Sequence, residues 1–299
     1  MPLREKASIL AELTPAYVVR EPAELTTPFV FCSPHSGRCY PSALLERSQL
    51  DAHTLRKSED CFVDELFDSV ASLGAPLIAA RFPRAYLDVN REPYELDPEL
   101  FEEPLPDFAN TQTMRVIGGL GTVARIVADG EEIYRDPLPL ASAIVRIEHL
   151  YQPFHAMLAQ LIERTRRTFG IAILVDCHSM PSASTGHPGS IRPDFVIGDR
   201  FGASCDARMT RLFREAIVQL GYQVQLNRPY AGGFITEHYG QPFKSVHALQ
   251  IEINRGLYLN EYKLTKTANF ERLRRDLSQV AARVFAELPP IIAPRAAAE

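Results

Sequence analysis

Four short apolar runs in this 299-residue chain break off directly into histidine, carboxylate or arginine, and that placement of charge constrains the fold more than any other feature. FVFCS leads into Pro34-His35-Ser36-Gly37-Arg38, and IAILV into Asp176-Cys177-His178-Ser179-Met180-Pro181. RAYLDVNRE ends in Asp88, Asn90 and Arg91, while ALQIEINRG sets Glu252 inside an apolar run with Asn254 and Arg255 after it. Such groups are costly to bury unless they meet one another, a substrate or a metal. Amphipathic stretches separate the runs, which predicts an α/β chain with helices packed on both faces of a largely parallel sheet. In an open sheet of that kind ligands bind outside the carboxyl ends of the strands.

The pattern predicts strands over Phe29–Ser33, Pro76–Ala80, Tyr86–Val89, Ile171–Cys177, Phe195–Gly198, Gln223–Leu226 and Ala248–Asn254. Helices are expected over Asp60–Ser72, Ile144–Phe169, Ala203–Leu220 and Lys263–Leu288. The stretch from Glu92 to Pro139, rich in proline, glycine and acidic residues, reads as an excursion over the surface or across a cleft. No repeat or Gly/Ser linker interrupts the middle of the chain, so a single domain over 1–288 is expected, with 289–299 as a flexible tail.

Charge removes some partners. With 32 Lys+Arg against 37 Asp+Glu and no long basic run, the chain lacks the footprint of a nucleic-acid binder. No window approaches about 18 consecutive apolar residues, and the first residues lack a basic-then-apolar leader, so no membrane partner and a cytoplasmic address are expected. The cysteines are five in number, with no CxxC pair, which disfavours both a disulfide framework and a thiolate zinc site.

His35 and His178 occupy matching strand ends, each followed by serine and a turn former, and neutral imidazoles so placed suit zinc. A carboxylate is the expected third ligand. Asp60 is preferred because it opens an expected helix and faces back towards the strand ends; Glu59 is second and Asp64 third. Glu252 alternates with Ile251 and Ile253, so it serves either as a general base or as the partner of Arg255 or Arg91. Arg84, Arg91, Arg192 and Arg255, with Asn90, could bind a substrate carboxylate, or form structural ion pairs. Pro229-Tyr230-Ala231-Gly232-Gly233-Phe234 is either a flap carrying Tyr230 or a tight connection.

Taken together, PHSGRCYP, SEDCFVDEL, DVNRE, GGLGTVARIV with IYRDPL, DCHSMP, PYAGGFITEHYG and IEINRGLYLNE resemble the N-formylglutamate amidohydrolase family, from about Phe29 to about Glu261. That family is similar to the zinc carboxypeptidases and aspartoacylases, which implies a zinc-carboxypeptidase-like (phosphorylase/hydrolase-like) α/β fold with a central mixed, mostly parallel sheet and helices on both faces. In the carboxypeptidase pattern a His-x-x-Glu pair and a later histidine hold the metal, an Asn-Arg pair in an Asp-x-Asn-Arg run binds the substrate carboxylate, and a strand glutamate is the base. His35, His178, Asp88-Val89-Asn90-Arg91 and Glu252 match in order, but Arg38 stands where the pattern has glutamate. The resemblance therefore implies one Zn2+ per chain, or another divalent metal, on His35, Asp60 and His178, with Glu252 as base. Arg84 would be a cation on the oxyanion, while Asn90, Arg91, Arg192, Tyr230 and Arg255 would surround a small acidic N-acyl amino acid. The implied reaction is hydrolysis of N-formyl-L-glutamate to formate and L-glutamate. A catalytically silent binding protein for an acidic amino-acid derivative is the alternative, and Arg38 is the feature in its favour.

Overall fold

The computed structural model describes residues 2–127, 130–185 and 192–292. Seven strands, β1 (Tyr17–Arg20), β2 (Phe29–Ser33), β3 (Leu77–Ala80), β4 (Ala172–Met180), β5 (Phe195–Gly198), β6 (Val224–Leu226) and β7 (Val246–Asn254), form one sheet in the order β1-β3-β2-β4-β7-β5-β6. β4 runs parallel to β7 and β5 parallel to β6, whereas β5 is antiparallel to β7, so the sheet is mixed, as expected. Every residue of β2, β3, β4 and β5 is buried. The apolar runs of β2, β3 and β5, and of β4 from Ala172 to Val175, match strands buried on both faces.

Several expectations are corrected. Tyr86–Val89 is not a strand: the N–H groups of Tyr86 and Leu87 donate to the Pro83 carbonyl at 2.9 and 3.3 Å, and that of Asp88 donates to Thr122 O at 2.8 Å. Pro83 starts a turn that consumes the hydrogen bonds a ladder would need. Nor does one helix cover Asp60–Ser72. Phe62 adopts a φ of 62°, and only Val63–Leu66 is α-helical, followed by a 3₁₀ turn at Asp68–Val70. Asp60 therefore stands in the turn before the helix.

The expected helix over Ile144–Phe169 starts earlier and has three parts: α-helix Leu140–Arg146, a π-turn at Ile147–Tyr151 and α-helix Gln152–Phe169. Helix Ala207–Gln219 begins where the Asp206 side chain accepts from the Arg208 N–H. The last helix is Phe270–Ile292, running past the expected boundary at 288; residues 293–299 lie outside the described ones. A helix at Pro2–Glu12 and strand β1 were not expected. Between residues 92 and 139 regular structure is sparse, but Leu96, Leu100, Val123, Ile133 and Leu138 are buried, so this excursion also contributes to the core. Among the described residues no helix is long and apolar enough to cross a membrane.

Packing divides the chain into two compact units, one of Met1–Val19, Cys32–Phe62 and Ile78–Leu161, the other of Arg20–Phe31, Val63–Leu77 and Ile162–Glu299. The second has an aromatic core in which Phe29 stacks on Phe285 at 4.7 Å and meets the edge of Phe213 at 5.9 Å. The first is built around a buried charge. The Arg146 Nε donates to Glu5 Oε1 at 2.7 Å and its Nη1 donates to the Tyr86 carbonyl at 3.1 Å and to the Tyr134 hydroxyl at 2.8 Å. Tyr86 OH donates to the same Glu5 oxygen at 2.6 Å, and the guanidinium lies 4.0 Å from the centre of the Tyr86 ring. Burial works against the Glu5 charge, but Arg146 and the Tyr86 hydroxyl outweigh it and hold the carboxyl below its ordinary value of 4.5.

Because that value is lowered by folding, the stability Glu5 contributes is full above about pH 4.5 and lost as the pH falls towards the folded value. Glu5→Gln should cost about 3–5 kcal/mol in denaturant unfolding at pH 7, the cost of an uncompensated buried Arg146. The difference from the wild type should shrink steadily as the pH is lowered. A difference that does not change with pH contradicts this.

Candidate metal centre

His35 follows β2 directly, across Pro34, and the close backbone approach of the next turn fixes its position. A Cβ on Gly37 would stand 2.0 Å from the Phe82 carbonyl oxygen, so only glycine fits, and Cys39 N–H donates to Arg81 O at 2.9 Å. The imidazole Nε2 lies 2.7 Å from Asp88 Oδ1. With that nitrogen donating, the lone pair of the neutral ring is at Nδ1, 3.4 Å from Asp60 Oδ2. Asp60 is held in turn by its own N–H, which donates to His35 O at 3.1 Å.

Asp88 gathers more than His35. It accepts from the Asn90 N–H at 2.8 Å and from Arg84 Nη2 at 2.7 Å, and Arg91 Nη2 lies 3.6 Å away. Burial works against its charge, yet His35, Arg84 and Arg91 together hold the carboxyl well below the usual carboxylate range. Arg91 itself donates to Leu120 O and Asn90 O at 3.0 and 2.8 Å, and burial pulls it down to about 10, so it stays charged at neutral pH. Asn90 and Arg91 of this run were expected to bind a substrate carboxylate, and the aspartate that opens it is engaged with His35.

His178 comes from β4, where its Nε2 lies 2.8 Å from Asp176 Oδ2. Residues two apart on a strand share a face, so the apolar run that ends in Asp-Cys-His delivers the two together. Again one ring nitrogen is engaged by a carboxylate, which in a neutral ring leaves the lone pair at Nδ1. Asp176 was not singled out from the sequence, although its spacing from His178 on an apolar strand is a usable signal.

The parallel register aligns His178 with Glu252 of β7, side by side on one face. Glu252 Oε1 accepts from Gln250 Nε2 at 3.2 Å, and Gln250 Oε1 accepts from the Gly233 N–H at 3.1 Å. The Tyr230 segment is thus tied down next to Glu252. Its Ala231 carbonyl accepts from Arg200 N–H at 2.7 Å, and Ala231 packs where a Cβ on Gly198 would lie, so it reads as a tight connection more than a flap. Tyr230 is half-buried, and Arg255 is buried with Nε donating to Ser179 Oγ at 3.1 Å. Asn254 accepts from Gly256 N–H at 3.0 Å, a capping role, and Arg192 is exposed just ahead of β5.

One donor atom each from His35, Asp60 and His178 lies within 4.8 Å of the others. The three residues are 1%, 1% and 3% exposed. Two donors on one tetrahedral zinc with bonds of about 2.0–2.2 Å stand about 3.3–3.6 Å apart, which the His35–Asp60 separation matches. A nitrogen and oxygen set of this kind, with the second ring nitrogen of each histidine on a carboxylate, is donor chemistry that could hold a divalent metal ion.

The two other acidic candidates are engaged elsewhere. Glu59 takes both oxygens to Arg56 and accepts the Tyr40 hydroxyl at 2.6 Å, while Asp64 pairs with Arg20 at 3.6 Å. Arg38, standing where the carboxypeptidase pattern has glutamate, lies over the Phe62 ring at 5.2 Å.

A family model described as N-formylglutamate amidohydrolase matches residues 27–259. The chain is 32% identical over 264 residues to an N-formylglutamate deformylase of Pseudomonas aeruginosa, covering 87% of this chain and 91% of that one. It is 30% identical over 237 residues to the N-formylglutamate deformylase of Pseudomonas putida, covering 78% and 82%. Among solved structures, an N-formylglutamate amidohydrolase from Ralstonia eutropha JMP134 superposes with a TM-score of 0.87 at 32% identity, covering 93% of this chain and 99% of that one.

The Gly37 contact makes a direct test of how His35 is placed. Gly37→Ala should lower the unfolding free energy by about 1–3 kcal/mol, the cost of overpacking against backbone that cannot give way. An unchanged denaturation midpoint would show that the turn has room to shift.

Proposed function

The chain belongs to the N-formylglutamate amidohydrolase family, and from that premise we propose that it hydrolyses the amide of N-formyl-L-glutamate, or of a related N-acyl amino acid, at a divalent metal held by His35, Asp60 and His178. What carries the reading is the convergence of those three buried donors, with a carboxylate on the far nitrogen of each histidine. Zinc suits the set best, since imidazole and carboxylate ligands are typical of it, and another divalent ion remains compatible with these donors. When bound, such an ion polarises the scissile carbonyl and lowers the pKa of water towards about 7.

The protein's own groups do the rest. Glu252, aligned with His178 across the β4–β7 pair, takes the proton of the attacking water and returns it to the departing amine nitrogen. Gln250 donates to Glu252 and so orients its carboxylate. Asp88 and Asp176 keep the two imidazoles in one tautomer and one ring orientation. Arg84, paired with Asp88, stabilises the oxyanion, while Asn90, Arg91 and Arg255, with Arg192 and Tyr230, receive the carboxylates of an acidic substrate. The products are formate and L-glutamate.

Purified protein should carry about one equivalent of metal per chain, and His35→Ala or His178→Ala should lose both metal and formate release. A His178→Ala protein that keeps its full metal content would overturn the ligand set. Glu252→Gln should retain the metal while its kcat falls by about 10²–10⁴, the usual contribution of a general base. An unaltered rate removes that role, and tight binding of N-formyl-L-glutamate without turnover in metal-replete wild type would mark a sensor instead.

A further inference from the structure

The Asp88–Arg91 run has no sheet ladder to hold it, so its backbone must be fixed in some other way. Three of its carbonyls, or those bordering it, are gripped by side chains of one helical segment. Arg146 Nη1 donates to Tyr86 O at 3.1 Å, His155 Nε2 to Val89 O at 2.9 Å and Tyr151 OH to Arg91 O at 2.7 Å. These carbonyls bracket Asp88 and Asn90 on both sides.

In an uninterrupted α-helix Arg146 and Tyr151, five residues apart, would point about 140° away from each other, because five residues advance about 500° at 3.6 per turn. The intervening Ile147–Tyr151 segment is a π-turn, in which the Gln152 N–H bonds to Ile147 O. An i→i+5 bond makes five residues roughly one turn, which returns Arg146 and Tyr151 to the same face. His155, four residues on in regular α-helix, then stacks against Tyr151 with ring centroids 4.2 Å apart. Glu5 anchors the Arg146 end.

We infer that Arg146, Tyr151 and His155, aligned by the extra residue of the π-turn, are positioning residues that fix the Asp88–Arg91 run so that Asp88 meets His35 and Arg91 meets the substrate. The inference rests on the hydrolase reading for the role of Arg91, and on the hydrogen bonds alone for the fixing of the run. No part of the grip touches substrate. Its effect is on placement, and Arg91 should report it through binding more than through turnover.

Tyr151→Phe removes only the hydroxyl that donates to Arg91 O. For Tyr151→Phe, KM for N-formyl-L-glutamate should rise about fivefold, the size of one neutral hydrogen bond, with kcat within about twofold and metal content unchanged. Amide hydrogen exchange of a peptide covering 84–91 should speed up, while one covering 172–180 should not. A wild type that releases no formate defeats the hydrolase reading, and the exchange measurement still decides this inference. Unchanged exchange over 84–91 overturns it, as does an unchanged KM in an active enzyme.

Discussion

An aspartate on the Nε2 of each of two buried histidines is the interaction on which the candidate centre depends. Asp88 holds His35 at 2.7 Å and Asp176 holds His178 at 2.8 Å. A carboxylate accepts and cannot donate, so each bond puts a proton on Nε2, and in the neutral ring that leaves the lone pair on Nδ1. The same bond fixes the plane of the ring. Without it, an imidazole on a strand end could rotate or change tautomer, and Asp60 would face a proton in place of a lone pair. The rest of the local structure can be understood as a means of delivering those two aspartates. Strand alternation delivers Asp176 with no further help, whereas Asp88 lies on an irregular run and needs Arg84, Arg91, Asn90 and the grip of the 140–169 helical segment.

Burying so much charge is rarely the cheapest route to stability, since well-packed apolar residues of similar volume often do as well or better. The charges here have a geometric result instead. Arg146 is fully buried among Glu5, Tyr86 and Tyr134, and one of its N–H groups is spent on the carbonyl two residues before Asp88. The N-terminal helix that supplies Glu5 precedes the span matched by the family model, yet its carboxylate supports a segment inside that span.

Much of the sheet was legible in the sequence because strands buried on both faces show up as apolar runs: β2, β3 and β5 are apolar almost throughout, and β4 is so from Ala172 to Val175. Asp60 was preferred to Glu59 and Asp64 as the opener of a helix, whereas it stands in a turn before one, with a carboxylate oxygen near donor atoms of His35 and His178. Phe62, a non-glycine at positive φ, is what breaks that helix, and apolar periodicity carries no trace of it. Tyr86–Val89 has the composition of a strand, but Pro83 and Thr122 take its hydrogen bonds. The alignment of His178 with Glu252 depends on pairing between strands about 70 residues apart, a register that local pattern cannot fix. The π-turn is invisible for a similar reason: a single extra residue alters the facing of side chains without altering composition.

Anomalous diffraction at the zinc edge from crystals of the purified, metal-loaded protein tests the central claim most directly. The account predicts one peak about 2.0–2.2 Å from Nδ1 of His35, Nδ1 of His178 and a carboxylate oxygen of Asp60, with both Nε2 atoms still on Asp88 and Asp176. A peak bound through either Nε2, or one at a different set of side chains, would contradict it.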